Sequence, residues 1–420
     1  MMAPLKVEDY LSELLSVTPV LPTQVLPLAE ALGRVCARDY QARFPVPPFT
    51  NSAMDGFAVR FEDLTSFPLT LQVAGEVAAG ASGDLECGPG QAIRIMTGAP
   101  LPKGADTVVP VELTDQPAGA APLPQQVVIN EPVKPQANVR RQGENVQVGG
   151  PVFPAGQVLS ATALSALASV GFGELEVFAR PRVAVISTGD ELVAAGEPLG
   201  PGQIPDSNSV LLRGLLQAAG YEVEVLRTSS DTPDDFAQLL ASVADDGFDV
   251  AITTGGVSAG AYDVVKAVTA QQGFSFHKVA MQPGKPQGFG QLSGRDRKCL
   301  MLALPGNPVS VFVSFHTFVV PILGAMQGIP VERLTSLGAR GRSATFPESF
   351  KSPAGRRQFV PVRFDNADAS VVERTHTLGS GSHLVASLPL AEGLAIIPEE
   401  WKQVEAGVSV PVLDLRLPWF

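Results

Sequence analysis

Cysteine, histidine and net positive charge are all in short supply in this chain, and each shortage removes a class of function. The three cysteines, Cys36, Cys87 and Cys299, are odd in number and far apart. That pattern fits neither a disulfide framework nor a CxxC metal site, and it points to a reducing, cytoplasmic setting. The four histidines show no metal-ligand spacing and support no Ser-His-Asp assignment, so zinc hydrolysis has no basis. A formal net charge of -12 argues against a general attraction to nucleic acid or anionic membrane, so any anionic ligand must be held locally. No GxxxxGK[ST] loop occurs, and no GxGxxG follows the first strand of the parallel region, which sets aside the two commonest nucleotide sites. Fixed-period repeats and low-complexity tracts are missing too. The opening MMAPLKVEDYLSELL has acidic residues where a secretion signal needs a basic start and an apolar run. One long apolar stretch, Val309 to Met326, contains His316, two serines and Pro321, and is read as a buried helix.

What is present describes a folded multidomain protein. At 420 residues the chain exceeds the roughly 100–200 residues of one domain. A hydrophobic fraction of 45% with 17% charged residues suits packed cores, and 41 glycines and 37 prolines without a period mark many turns. Val7, Tyr10, Leu11, Leu14 and Leu15 form one helical face. Residues 45–145 read as an inserted, mostly β unit, with the runs LTLQVAG, QAIRIMTG and QQVVINEP. Residues 24–44 plus 146–176 form a small helical and β linker unit. From about 177 to 328, with 1–23 added, buried-type strands alternate with helical stripes, which implies an α/β unit on a parallel sheet. Residues 329–420 return to short strands, as in a sandwich or barrel. The fold class is therefore α/β multidomain.

In an open parallel sheet, ligands bind beyond the carboxyl ends of the strands. There the chain places Thr188, Gly189, Asp190 and Glu191, then Ser229, Ser230 and Asp231, then TTGGVSAGAYD with Gly255, Gly256, Ser258 and Asp263, and finally LPGNP. Glycines admit an anion to the backbone, hydroxyls add donors, and the carboxylates tolerate phosphate only through a metal such as Mg²⁺. Singly, each feature is a helix cap or a turn. Capping, however, does not require Gly255, Gly256, Ser258 and Gly260 in one loop. Lys285, in QPGKP, follows a strand and can pair with phosphate.

The segments PPFTNSAMDGFAVR, MTGAPLPKGADTVV, STGDEL, TTGGVSAGAYD, PGKP and LPGNPVS resemble, in order and over nearly the whole chain, the MoeA family of molybdopterin molybdenumtransferases and the gephyrin E domain. The resemblance implies a MogA-like central α/β domain, an inserted β domain, a linker domain and a C-terminal β-barrel-like domain. It implies a Mg²⁺-dependent reaction of molybdate with adenylylated molybdopterin, releasing AMP. By resemblance Glu191, Asp231 and Asp263 are the acidic, metal-holding residues, with Thr188, Gly255, Gly256 and Ser258 in the phosphate loops. Lys285 contacts phosphate or molybdate, and Pro305 and Pro308 shape the pterin-side loop. Arg356 and Ser382 match further ligand positions, and Asp55 and Thr97 match positions of the inserted unit. A homodimer is implied, with Asp55 acting in trans, together with hand-over from a MogA-type adenylyltransferase and to molybdoenzyme chaperones. On its own, Asp55-Gly56 reads as a hairpin turn.

Two positions depart from the family pattern: Asn145 stands where an aspartate is expected, with Glu144 beside it, and Gln282 where a second lysine is usual. Each loses a charge while keeping hydrogen-bonding capacity. Two alternatives remain. A molybdopterin adenylyltransferase shares the α/β domain but lacks the flanking β units. A gephyrin-like receptor scaffold would bring a long linker or a fused second α/β domain.

Overall fold

The computed structural model describes residues 3–82, 84–227, 232–257, 264–269, 273–295, 297–335, 340–378 and 380–418. Helix α1 (Val7–Val17) buries Val7, Tyr10, Leu11 and Leu14, the face expected from their spacing. It packs onto the sheet unit that begins at residue 183. That unit contains β1 (Val183–Ser187), α2 (Ser207–Ala218), β2 (Val223–Arg227), α3 (Pro233–Asp245), β3 (Val250–Thr254), α4 (Val264–Thr269), β4 (Ser275–Lys278), β5 (Pro286–Ser293), β6 (Lys298–Leu304) and α5 (Pro308–Met326). The strand order is β2-β1-β3-β6-β5-β4.

Strand β1 is buried along its whole length, and its alternation feeds two cores. Val183 and Val185 pack with α1, α2 and α5, whereas Ala184 and Ile186 pack with Phe236, Leu240 and Val243 of α3. The α3 start follows its sequence signal: Thr232 Oγ1 accepts from the Asp235 amide at 3.3 Å, and Pro233 occupies the first turn. Gly220, in the left-handed region at φ +80°, ends the turn after α2. The long apolar helix α5 is almost wholly buried, with a π turn at Phe315–Val319, and is a core element.

The sheet is parallel across β2, β1, β3 and β6, after which β5 pairs antiparallel with β6 and β4 antiparallel with β5 at its edge. The connection at 294–297 is too short for a crossover, so β6 must return beside β5 as a hairpin.

Three smaller units surround this sheet. Strands Thr23–Pro27 and Glu174–Phe178 pair antiparallel beside the helix Ala161–Ser169, which Ser160 caps, over a core containing Tyr40, Leu159 and Leu167. Residues 56–129 form a five-stranded sheet with an apolar cluster on each face. At the C-terminus, Arg357–Phe364, Gly393–Ile397, Ser409–Asp414 and Gly341–Thr345 form a sheet that Met281–Gln282 extends by pairing parallel with Arg357 and Gln358. A segment from the middle of the α/β unit is thereby stitched to the C-terminal one.

Candidate active site

The ends of β1, β3 and β6 deliver Thr188-Gly189, Gly255-Gly256 and Pro305-Gly306-Asn307 to one cleft. It comprises a recess of about 270 Å³ opening into a space of about 730 Å³, and Glu191, Ile204, Gly255, Gly256, Gly306 and Asn307 line both. Gly255 and Gly256 sit at φ +92° and +70°, where a side chain would be strained. A Cβ on Gly306 would stand 3.4 Å from the Gly255 Cα, so the two turns meet backbone to backbone. Asn208, from α2, braces the second turn through Nδ2 to the Gly306 carbonyl at 2.6 Å, while its buried Oδ1 has no partner among the described residues.

The charges of the cleft are largely unspent. Lys285 and Arg356 line the larger space, and neither side chain has a hydrogen-bond or ion-pair partner among the described residues. Neighbouring Arg357 behaves differently, since it bridges Glu8 and, at 3.1 Å, Glu399. Ser382 is anchored by its backbone carbonyl, which accepts from the Val309 amide at 3.2 Å, and Asn307 Nδ2 donates to its hydroxyl at 3.2 Å. Glu191 is exposed, and its carboxylate likewise lacks a partner among the described residues. Pro305 lines the larger space and Pro308 the recess. Gln282 lies beside Lys285 on the same wall.

Asp206 is a residue that reading along the chain passes over. Loop 188–206 doubles back through the pairing of Leu192–Val193 with Ile204–Pro205 and returns Asp206 to the recess. There its buried carboxylate accepts from Ser187 Oγ at 2.7 Å, Ser209 Oγ at 2.6 Å, the Ser209 amide and Arg227 at 3.0 Å. Burial alone would raise its pKa, but the Ser209 and Ser187 hydrogen bonds, helped by Arg227, hold it below the usual carboxylate range. The Asp-Ser-Asn before an apolar helical stripe was a legible cap signal; the return of the loop was not.

Asp55 stands apart, in a space of about 470 Å³ lined also by Glu76, Arg94 and Met96, with no residue in common with the cleft. The Thr97 amide donates to its Oδ1 at 2.6 Å and the Thr97 hydroxyl at 2.8 Å, and both hold its pKa down. A hairpin turn, the reading that Asp55-Gly56 has on its own, does not form. Asn51–Ser52 pairs with Val139–Arg140, while Gly56–Val59 joins the five-stranded sheet. Gly56 serves a close approach instead, because a Cβ there would fall 2.0 Å from the Val109 carbonyl. Asn145 does not line the cleft, and the Glu144 carboxylate is taken by the Arg141 amide at 2.9 Å. Asp231, Ser258 and Asp263 lie outside the described residues.

This architecture defines a multidomain α/β protein with a glycine-turned, cation-bearing cleft at the strand ends, walled in part by its C-terminal β unit. Residues 5–171 match the MoeA N-terminal region (domain I and II), 184–325 a probable molybdopterin binding domain, and 343–415 the MoeA C-terminal region (domain IV). The chain is 41% identical over 401 residues to molybdopterin molybdenumtransferase 2 of Mycobacterium tuberculosis, covering 93% of this chain and 94% of that protein. It is 36% identical to the molybdopterin molybdenumtransferase of Haemophilus influenzae, covering 93% of each. A crystal structure of a molybdopterin biosynthesis MoeA protein from Pyrococcus horikoshii superimposes with a TM-score of 0.77 at 30% identity, covering 98% of this chain and 99% of that one. The chain belongs to the MoeA family of molybdopterin molybdenumtransferases, enzymes of late molybdenum cofactor biosynthesis.

Proposed function

We propose that the chain inserts molybdate into adenylylated molybdopterin in a Mg²⁺-dependent step that releases AMP. The observation that carries this reading is the pairing of two unspent cations, Lys285 and Arg356, with Ser382 on the wall of a cleft whose floor is made of glycine turns. A tetrahedral oxyanion needs opposing cations and hydroxyl donors, and Arg356 and Lys285 supply the charge without first breaking an internal ion pair. Gln282 adds hydrogen bonding where relatives of the usual pattern carry charge, so molybdate affinity rests more heavily on the other two. The Gly255-Gly256 turn and Thr188 face the recess, where backbone and hydroxyl donors suit a phosphate.

Mg²⁺ is bound through one or two carboxylates together with substrate phosphates. Glu191, unpartnered and shared by both parts of the cleft, fits that requirement, whereas Asp206 is already engaged by four hydrogen bonds. Asp231 and Asp263 are assigned as its companions by family resemblance. When bound, the ion polarises the pyrophosphate toward cleavage. Asp55, kept ionised by Thr97, acts in the cleft of a second subunit of a homodimer. A MogA-type adenylyltransferase supplies the substrate and molybdoenzyme chaperones receive the product.

The test mixes purified protein, adenylylated molybdopterin, molybdate and Mg²⁺, and follows AMP release and activation of an apo-molybdoenzyme. Both are expected, and the absence of both overturns the reading.

A further inference from the structure

Helix α5 starts in the cleft with Pro308 and Ser310, but further along it Phe312 and His316 line a second cavity of about 640 Å³ that shares no residue with the first. Such a volume is within the range of small-molecule sites. The lining is mostly apolar, with Leu215, Phe312 and Leu415 among its larger side chains. Its charged members are both arginines, Arg180 and Arg416, and no carboxylate lines it among the described residues. Arg416 is matched by Asp414 at 2.9 Å. Arg180 is not matched: its guanidinium donates to the Gly220 and Gly33 carbonyls, which accept hydrogen bonds but carry no neutralising charge.

Two buried polar side chains nearby are also unsatisfied. Among the described residues, neither ring nitrogen of His316 has a partner, and Arg340 Nη1 has none. Burial, then the charge of Arg340, push the His316 pKa down to about 3, so its ring is neutral with one donor and one acceptor unused. The ring packs edge-on against Phe312 at 4.8 Å and Phe315 at 5.3 Å, and reorienting it breaks no hydrogen bond among the described residues. It sits on the π turn of α5, where the helix departs from its regular hydrogen-bond ladder. Unsatisfied buried groups are costly, and a cavity with uncompensated positive charge beside them calls for a ligand that supplies the missing half.

We propose that this second cavity binds a small amphipathic anion, an apolar body carrying one carboxylate-type head, separate from the chemistry of the cleft. The body lies against Leu215, Phe312 and Leu415. Arg180 neutralises the head, and His316 contributes a hydrogen bond after ring reorientation.

Titration of the full chain with 8-anilinonaphthalene-1-sulfonate, an aromatic body with one anionic head, tests this. A saturable fluorescence rise at one site per chain is expected, reversed by decanoate at concentrations at least tenfold below those needed with decanol. Equal displacement by decanol overturns the anionic part, and non-saturable binding overturns the site. Ala219→Trp, which fills the cavity, and Arg180→Gln are each expected to weaken binding at least tenfold while melting as folded proteins. Unchanged affinity in both overturns the assignment. With nitrogen-15 histidine, only four side chains contribute signals, and the His316 ring resonances are expected to move on adding decanoate. Static His316 signals at saturation overturn its role. Binding seen only when the chain is diluted to monomers would make the cavity an interface between copies, and the small-ligand proposal would fail.

Discussion

Glu191 and Asp55 both occupy family-motif positions in turns, yet their surroundings treat them differently. Thr97 supplies two hydrogen bonds to Asp55, so its ionised state is secured within the inserted unit. Glu191 has no partner among the described residues, and the cations lining the same space, Lys285 and Arg356, are equally unspent. One region holds a carboxylate whose hydrogen bonds are already made, whereas the other holds charges that no described residue meets. Pre-satisfied groups can be presented from a rigid sheet to a distant cleft.

The comparison can be broken in several ways, beginning with the largest effect. Asp206→Ala strands Ser187, Ser209 and Arg227 around a buried hole and should cost about 3 kcal/mol, discounted for the half-exposed arginine, in denaturant unfolding. An unaltered midpoint would mean that the strand ends do not depend on this clamp. Lys285→Ala should weaken molybdate saturation roughly ten- to hundredfold, corresponding to about 1.5–3 kcal/mol for a charge-assisted contact, with little change in melting. If stability fell and saturation held, Lys285 would belong with the structural cations.

Mixing Asp55→Ala chains with Lys285→Ala chains sharpens the contrast between the two regions. At molybdate too dilute to saturate Lys285→Ala, if each site is shared across a dimer, half the dimers are mixed and each regains one intact site, giving about a quarter of wild-type AMP release. No recovery would place both residues in the same subunit's site. Arg356 and Arg357 offer a smaller, paired test. Arg357→Ala should lower Tm, at about 1 kcal/mol for its partly exposed ion pairs, and leave molybdate binding intact, while Arg356→Ala does the reverse.

The smallest effect concerns acidity. Because the folded pKa of Asp55 is depressed, its contribution to stability is full above the unfolded value near 3.8 and is lost as pH falls through the lower folded value. Thr97→Val removes one of the two donors, so the Asp55 carboxyl carbon should titrate at higher pH by NMR. An unmoved midpoint would show that the Thr97 amide alone sets it.

Much of the fold was legible because it rests on near neighbours. The α1 face, the Thr232-Pro233 start of α3, the buried character of β1 and the non-membrane reading of Val309–Met326 follow from periodicity and capping within a few residues. The glycine turns and hydroxyls of the strand ends were visible for the same reason, since a parallel strand announces where its ligand side lies.

What the sequence by itself determined was therefore which residues form helices and buried strands, and which turns stand at the strand ends. The tertiary structure decided how those turns combine. It drew Met281–Gln282 into the C-terminal sheet, so that Lys285 and Arg356, remote in the chain, line one space. It folded loop 188–206 back to place Asp206 under three elements, and it used Gly56 for a backbone approach to Val109 in place of the hairpin turn that Asp-Gly on its own suggests. These depend on contacts between distant segments, whose energies come from packing and pairing that no local pattern records.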